Sequence, residues 1–332
     1  MAVIRVSNLK KRFNLEAGFF APLGRFVYAV NDVSFFIGEN ETYGLVGESG
    51  CGKTTTARLL VRMYESDGGT ILFKDTTDVR RLRRGELKDY RQRVKYVFQD
   101  PARSLNPRMS VYEVLVSGAR WSSHWAGKKR ARREAAAILE EVGLREADLE
   151  RRPSEFSGGQ RQRISIARGL LMQPDLLICD EVVSALDVSI QGQILNLLLD
   201  LRSRRDLSFL FIAHDLKVAS YFCDRIGVMY RGELLEEAPA AELYRSALHP
   251  YTRLLFSSAG GRTGDASAGD RAPPVLLKGE VKTTVAELSG CAFADRCPLA
   301  EESCFKAHPE LRDLHSGTEG GKEIHRVRCF KV

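Results

Sequence analysis

Eight consecutive residues constrain this chain more than any other feature: Gly47-Glu48-Ser49-Gly50-Cys51-Gly52-Lys53-Thr54, continued by Thr55. They match G-x-x-x-x-G-K-[ST] in the context that pattern requires. A short apolar run, Thr42–Val46, precedes them, and in Thr54–Tyr64 the residues Ala57, Leu60, Val61 and Tyr64 recur at helical spacing. The glycines let the backbone turn its N–H groups inward around phosphate oxygens, and the helix N-terminus adds the positive end of a dipole. Lys53 then reaches the β and γ phosphates, and the Thr54 hydroxyl is a ligand for Mg2+.

A second element supplies the metal side. Leu176-Leu-Ile-Cys-Asp180-Glu181 reads as a buried strand tipped by two carboxylates. Asp180 in that place holds Mg2+ through water, and Glu181 polarises an attacking water. The two elements together define a P-loop nucleoside triphosphatase without saying which kind.

Further strands are expected at Val3–Leu9, Val27–Phe36, Thr70–Phe73 and Val94–Phe98. Between Ser110 and Glu150 the period changes to about 3.6, which makes that block helical. A helix over Gln160–Met172, a strand at Leu176–Cys179, a helix over Ile190–Arg204 and a strand at Phe209–Ala213 follow. Uninterrupted apolar strands, each followed by a helix, are what a parallel sheet covered on both faces produces, so the fold class is α/β.

With 332 residues, 44% of them hydrophobic and 28% charged, the chain is neither disordered, nor collagenous, nor a small disulfide scaffold. Its length suits two domains, or one large domain with an appendage. The N-terminal MAVIRVSNLKKRF turns charged before an apolar segment can form, which predicts a cytosolic protein with reduced thiols. No apolar run reaches membrane-spanning length. The formal charge of +7 is concentrated: Arg80–Leu170 holds 22 Lys and Arg against 11 Asp and Glu, whereas Ser257–Val332 is balanced at 11 and 11. A solvated helix surface is the default meaning of such a surplus, and a juxtamembrane face near anionic lipid is the alternative.

The deciding motif is Phe156-Ser157-Gly158-Gly159-Gln160 followed by RQRISIARGLL. Ser157 and Gly159 stand at a helix N-terminus, a second anion cradle in a chain with one phosphate loop. With Gln99 in YVFQDP, the turn Ser184-Ala-Leu-Asp187 and His214 in FIAHDL, this resembles the ATP-binding-cassette ATPases over residues 44–215. The resemblance implies a RecA-like parallel sheet core with an antiparallel β subdomain and a helical subdomain at about 102–158. It implies that two cassettes face each other head to tail, with ATP between the Lys53 loop of one and the Ser157–Gln160 cradle of the other. By the same resemblance Gln99 contacts Mg2+ and the attacking water, His214 contacts the γ-phosphate, and Asp187 couples the half-sites. An adenine-stacking aromatic is expected near the first strands: Phe13, with Phe26 and Tyr28 as rivals because Asn14–Gly24 looks inserted. One departure stands out: Val182-Val183 follows Glu181 where the family usually has Pro-Thr, losing a rigid turn and a hydroxyl.

YVFQDPARSLNPRMSV, His249-Pro250-Tyr251 with TRLLFSSA, and CAFADRCPLAEESC narrow the resemblance to ATPases of oligopeptide and dipeptide importers. That branch implies a cassette over residues 1–256 and a linker with a C-terminal cysteine domain over 257–332, the linker being GGRTGDASAGDRAPP. It implies a second ATPase, usually a different chain, two membrane permease subunits, an extracytoplasmic solute-binding protein, and a place at the cytoplasmic face of the membrane. Four of the seven cysteines, Cys291, Cys297, Cys304 and Cys329, are spaced C-x5-C-x6-C-x24-C. Four thiolates suit zinc or an iron–sulfur cluster; the resemblance favours [4Fe–4S], with Zn2+ as alternative. His308, His315 and His325 are further ligand options, and Cys51 is either a turn residue or an oxidation sensor. A soluble relative acting on nucleic acid or ribosomes is the competing reading. It is weakened by the single cassette and the absence of a long coiled coil between Gln99 and Ser157.

Overall fold

In the computed structural model, which describes residues 1–14, 26–120, 125, 127–258, 289–315 and 324–332, the apolar runs become strands and the 3.6-period segments become helices. The stretch that looks inserted, from residue 15 on, and the linker-like segment at 260–274 lie outside the described residues, as does the side chain of His315. The contacts divide the chain into two units that interleave in sequence. One comprises Met1, Gly38–Glu41 and Arg81–Leu210; the other comprises Ala2–Ile37, Thr42–Arg80 and Phe211–Val332.

The second unit opens with an antiparallel sheet. Strand Ala2–Asn14 lies between Phe26–Gly38 and Gly68–Phe73, with Thr77–Asp78 at the edge. The register pairs Ile4 with Phe73 and Ser7 with Thr70, and slips between Ser7 and Lys10. Alternation puts Val6, Val33, Phe35 and Ile37 into the core, with Arg5 exposed and Ser34 and Phe36 half-buried between them, while at the strand's start Ala2, Val3 and Ile4 are all buried. The strand Thr42–Val46 is buried along its whole length and runs parallel to Arg225–Tyr230, Tyr43 opposite Arg225 and Val46 opposite Val228. Arg225–Tyr230 turns back at Arg231-Gly232, both in the left-handed region, into Glu233–Pro239. The chain's last strands extend this sheet: Ile324–Val327 pairs antiparallel with Glu233–Pro239, and Arg312–His315 pairs with Ile324–Val327.

The other unit carries the helical block and the acidic strand. Val94–Val97 and Leu176–Asp180 pair in parallel, Val94 opposite Leu176. The helices Val111–Ala119 and Lys128–Glu141 are amphipathic: Ala131, Ala135, Ile138 and Leu139 are buried, while Lys128, Lys129, Arg130, Arg132 and Arg133 stand in solvent. Arg130 pairs with Glu134 and Arg132 with Glu150. Much of the local basic surplus is thus a solvated helix face. No helix among the described residues is long and apolar enough to cross a membrane.

The expected helix after the glycine run is shorter than its apolar pattern. It spans Lys53–Leu60 and stops because Arg62 adopts a left-handed conformation, with Met63 N–H donating to Arg58 O at 2.8 Å and Arg62 N–H to Leu59 O at 2.9 Å.

Candidate functional site

The phosphate loop is built by backbone. At Gly52, φ is +110° and an added Cβ would lie 2.2 Å from the Ala29 carbonyl; at Gly47 it would lie 2.1 Å from the Met229 carbonyl. Only glycine fits at either position, and the tight turn leaves Lys53 almost wholly buried. The Lys53 Nζ donates to the carbonyls of Gly47 at 2.7 Å and Glu48 at 3.0 Å, so the ammonium sits folded over the loop it serves. Thr54 and Thr55 open the helix, and Thr56 Oγ1 caps back onto Gly52 O at 3.0 Å. Ser49 and Gly50 form the loop's outer bend, and nothing lies within 4 Å of a Cβ placed on Gly50. Cys51 is buried, and burial pushes its thiol up, with the Lys53 ammonium opposing. Burial of the Cys51 thiol supports the reading of a turn residue over that of an oxidation sensor.

The acidic strand ends in two carboxylates with different surroundings. Asp180 is buried and accepts a hydrogen bond from the Tyr96 hydroxyl at 2.5 Å. Glu181 lies just past the strand at φ +49°, an uncommon conformation for a residue with a Cβ. Its Oε2 accepts from Gln99 Nε2 at 2.7 Å, which brings together two of the residues singled out in the sequence. The Val182-Val183 departure leaves the turn closed. Both valines are buried, and Ser184 donates to the Glu181 carbonyl through its amide at 3.1 Å and its hydroxyl at 2.9 Å. Asp187 caps the helix Val188–Arg205 by position, its carbonyl accepting from Gln191 N–H at 2.8 Å.

In the same unit as Glu181, the Ser157 segment forms an exposed helix N-terminus. Ser157 and Gln160 close a reciprocal capping box, at 3.3 Å from Gln160 N–H to Ser157 Oγ and 3.0 Å from Ser157 N–H to Gln160 Oε1. Gly158 is exposed, and a Cβ on Gly159 would meet Ile190 at 2.7 Å. His214 belongs to the unit of the phosphate loop and is exposed at the tip of Ser208–Ala213, where Asp215 caps the following helix through Lys217 N–H at 2.7 Å.

The three aromatic rivals differ in surroundings. Phe13 meets Tyr64 edge-on at 5.3 Å between ring centroids, and Phe26 lies under the Arg12 guanidinium at 4.5 Å. Tyr28 immediately precedes Ala29, whose carbonyl packs against Gly52.

The C-terminal cysteines form a cluster of thiols. None is in a disulfide, and Cys291 N–H donates to the Cys304 carbonyl at 2.7 Å. Burial pushes the Cys291 thiol up to about 11, and the neighbouring Cys329, Cys304 and Cys297 push the same way. Cys297 is raised likewise, by burial first and then by Cys329 and Cys304. Among the described residues no three His, Cys, Asp or Glu side chains converge on one point as the ligands of a single metal ion do. His308 and His325 are engaged elsewhere, with Glu233 at 2.9 Å and with Glu236 and Glu242 at 2.8 Å each.

Two residues that touch the phosphate loop escaped the sequence reading. Tyr251, seen there only as part of His249-Pro250-Tyr251, accepts the Glu48 N–H on its hydroxyl at 3.0 Å. Arg296 forms an ion pair with the Glu48 carboxylate at 3.0 Å. The signal available was weak: an aromatic and an arginine in motifs of unassigned purpose, more than 200 residues from their partner.

Comparison with known proteins agrees with this geometry. A family model described as "ABC transporter" matches residues 30–184, and one described as "Oligopeptide/dipeptide transporter, C-terminal region" matches 235–304. "Oligopeptide transport ATP-binding protein AppF" of Bacillus subtilis (strain 168) is 42% identical over 313 residues, covering 94% of each chain. "Probable peptide ABC transporter ATP-binding protein y4tS" of Sinorhizobium fredii (strain NBRC 101917 / NGR234) is 43% identical over 317 residues, 95% of this chain and 88% of that one. Among solved structures, the dimeric cassette MJ0796, in a post-hydrolysis state bound to ADP and Pi, aligns with a TM-score of 0.63 at 26% identity, covering 71% of this chain and 98% of that one. The cbiO1 protein of Clostridium perfringens aligns with a TM-score of 0.63 at 24% identity, over 73% and 90%, and shows the shared fold.

Proposed function

The chain belongs to the ABC transporter ATPases, in the branch that carries the oligopeptide/dipeptide transporter C-terminal region, and from that premise we propose how its residues divide the work. It is an ATP-binding and hydrolysing subunit that powers peptide import. The observation that carries the assignment of roles is the phosphate loop itself, a glycine-shaped turn with Lys53 held over it.

The loop amides of Gly47–Thr55 and the Lys53 ammonium bind the triphosphate, and Phe13 stacks on adenine. Thr54, Gln99 and Asp180 hold Mg2+, which neutralises phosphate charge when bound. Glu181 takes the proton of the attacking water, with Gln99 orienting the pair and His214 steadying the γ-phosphate. The exposed Ser157–Gln160 cradle is spent on the ATP of a partner cassette, and Asp187 couples the two half-sites. Residues 1–256 form the cassette, with the helical subdomain at about 102–158 docking on the membrane subunits; residues 257–332 form the linker and C-terminal domain. The partners are a second ATPase that is a different chain, two permease subunits and an extracytoplasmic binding protein, with this subunit peripheral at the cytoplasmic face. No nucleic-acid role is proposed.

For the C-terminal thiols we propose a [4Fe–4S] cluster rather than Zn2+. The reading is supported by the free state of Cys291, Cys297, Cys304 and Cys329 and by the upward push that neighbouring thiols add to burial at Cys291 and Cys297. Such a group supplies a cross-link among chain segments. Iron, sulfide and zinc analysis after anaerobic purification tests it; protein free of iron ends the proposal.

ATP turnover of the assembled transporter with Glu181→Gln tests the catalytic assignment. Loss of roughly 10²–10⁴-fold in turnover with ATP binding retained is expected; unaltered hydrolysis would remove Glu181 from the base role.

A further inference from the structure

The geometry points to Arg296 as a positioning residue of the ATP site. It pairs with the carboxylate of Glu48, the first residue after Gly47 in the phosphate loop, and takes that negative charge out of competition with the triphosphate. The inference rests on the reading of the Lys53 loop as the ATP site.

Glu48 is an awkward residue for a phosphate cradle. Its backbone N–H and carbonyl belong to the loop, and Lys53 itself bonds to that carbonyl at 3.0 Å. Its side chain brings a negative charge to the place where the most negative part of the nucleotide binds. The Arg296 Nη1 lies 3.0 Å from Glu48 Oε2, with the guanidinium side chain only 9% exposed. The other carboxylate oxygen, Oε1, is buried and has no hydrogen-bond partner among the described residues. Neutralisation of Glu48 therefore depends on a single contact.

Arg296 is itself held by a built support. Its Nη1 also donates to the Tyr230 hydroxyl at 3.2 Å. Tyr230 and Tyr251 both pack on Phe293, at 5.3 and 5.2 Å between centroids, and Arg296 N–H closes a tight turn onto the Phe293 carbonyl at 3.0 Å. Tyr251 returns to the loop, its hydroxyl accepting Glu48 N–H at 3.0 Å. The segment between Cys291 and Cys297 thus grips Glu48 at both its backbone and its side chain, directly through Arg296 and through Phe293 and Tyr251.

The test is a titration of the full-length chain with a fluorescent ATP analogue, mant-ATP, in the presence of Mg2+ at two salt concentrations. Wild type should bind and Lys53→Ala should not; if either fails, the ATP-site reading fails before Arg296 is in question. Given both, Arg296→Gln should weaken binding on the order of tenfold, the scale of one unscreened like charge near a phosphate, and the loss should shrink at high salt. Glu48→Gln should tighten binding, and the Glu48→Gln/Arg296→Gln double variant should recover most of the loss. An unchanged affinity in Arg296→Gln overturns the inference, and so does a loss that Glu48→Gln leaves uncorrected, since that reports damage to the segment and not charge. Should Arg296→Gln fail to fold, Glu48→Gln alone decides: tighter, salt-dependent binding supports the pairing, and unchanged or weaker binding refutes it.

Discussion

The phosphate loop and the C-terminal edge of the sheet belong to the same unit and are held together in opposite ways. The loop uses backbone: two glycines that admit no side chain, and carbonyls that receive the Lys53 ammonium. The C-terminal edge uses side-chain charge. Glu233, Glu236 and Glu237 on one strand are all fully buried, facing His308, His325, Arg225 and Arg326. Arg328, also buried, reaches back to Asp32 at 3.4 Å and to the Leu234 carbonyl at 3.2 Å. A site that must accept a ligand's charge is shaped by main chain, with its one side-chain carboxylate, Glu48, already paired to Arg296, whereas a segment that must stay docked uses several ion pairs that are costly to break.

The two regions should therefore fail differently. The largest effect is expected at Glu237, which faces Arg225 at 3.5 Å and Arg326 at 3.3 Å from a position shut off from water. Glu237→Ala removes the buried carboxylate that both arginines face and should cost about 3–5 kcal/mol of global stability, read as a fall in denaturation midpoint. A loss below ~1 kcal/mol would mean that the C-terminal edge is not anchored by these charges. Gly52→Ala is the converse. A methyl 2.2 Å from the Ala29 carbonyl forces the turn to move, at about 1 kcal/mol of strain felt in the melting curve, and displacing the loop amides should weaken ATP binding on the order of a hundredfold, the larger of the two effects. Equal damage to melting and to binding would erase the contrast.

The same contrast explains what the sequence disclosed. The loop is legible because its eight residues are contiguous and each has a local physical task; so are Ser157 as a helix cap and Asp180-Glu181 at a strand tip. The strands Thr42–Val46 and Leu176–Asp180 were legible as unbroken apolar runs. The final strands were not. Ile324–Val327 is a short segment of mixed polarity, and what makes it a strand is pairing with Glu233–Pro239, nearly 90 residues away, under cover of buried charge. Tyr251 and Arg296 were missed for that reason too, since their partner Glu48 is distant in sequence and near only in the fold. Ser184, by contrast, stood in plain view. The loss of a hydroxyl at Val182-Val183 drew notice, and Ser184 was named only as the start of the turn to Asp187, not as the hydroxyl that closes that turn onto the Glu181 carbonyl.

The smallest effect expected, and the finest test of the comparison, concerns His325. The ring bridges two carboxylates, Nε2 to Glu236 Oε1 and Nδ1 to Glu242 Oε1, both at 2.8 Å, in a pocket also reached by the amides of Leu248 and His249. Burial alone would lower its pKa; the hydrogen bonds and charges of Glu236 and Glu242 outweigh this and raise it above the ordinary value. His249 beside it goes the other way, pushed down to about 4 by burial, and is neutral at physiological pH. A folded-state pKa above the unfolded one means that His325 contributes its full stabilisation below about pH 6.5 and loses it as pH rises through the folded value. Amide exchange in Ile324–Val327 and Glu233–Pro239 should accordingly speed up, beyond the intrinsic pH dependence, between about pH 6.5 and the alkaline side, and His325→Gln should remove that excess. Exchange in Thr42–Val46, the strand that feeds the phosphate loop, should show no such excess, because no histidine bridges carboxylates along it. If both strands respond together, the C-terminal edge and the phosphate loop open as one cooperative unit, and the separation between backbone-built and charge-built regions does not extend to their dynamics.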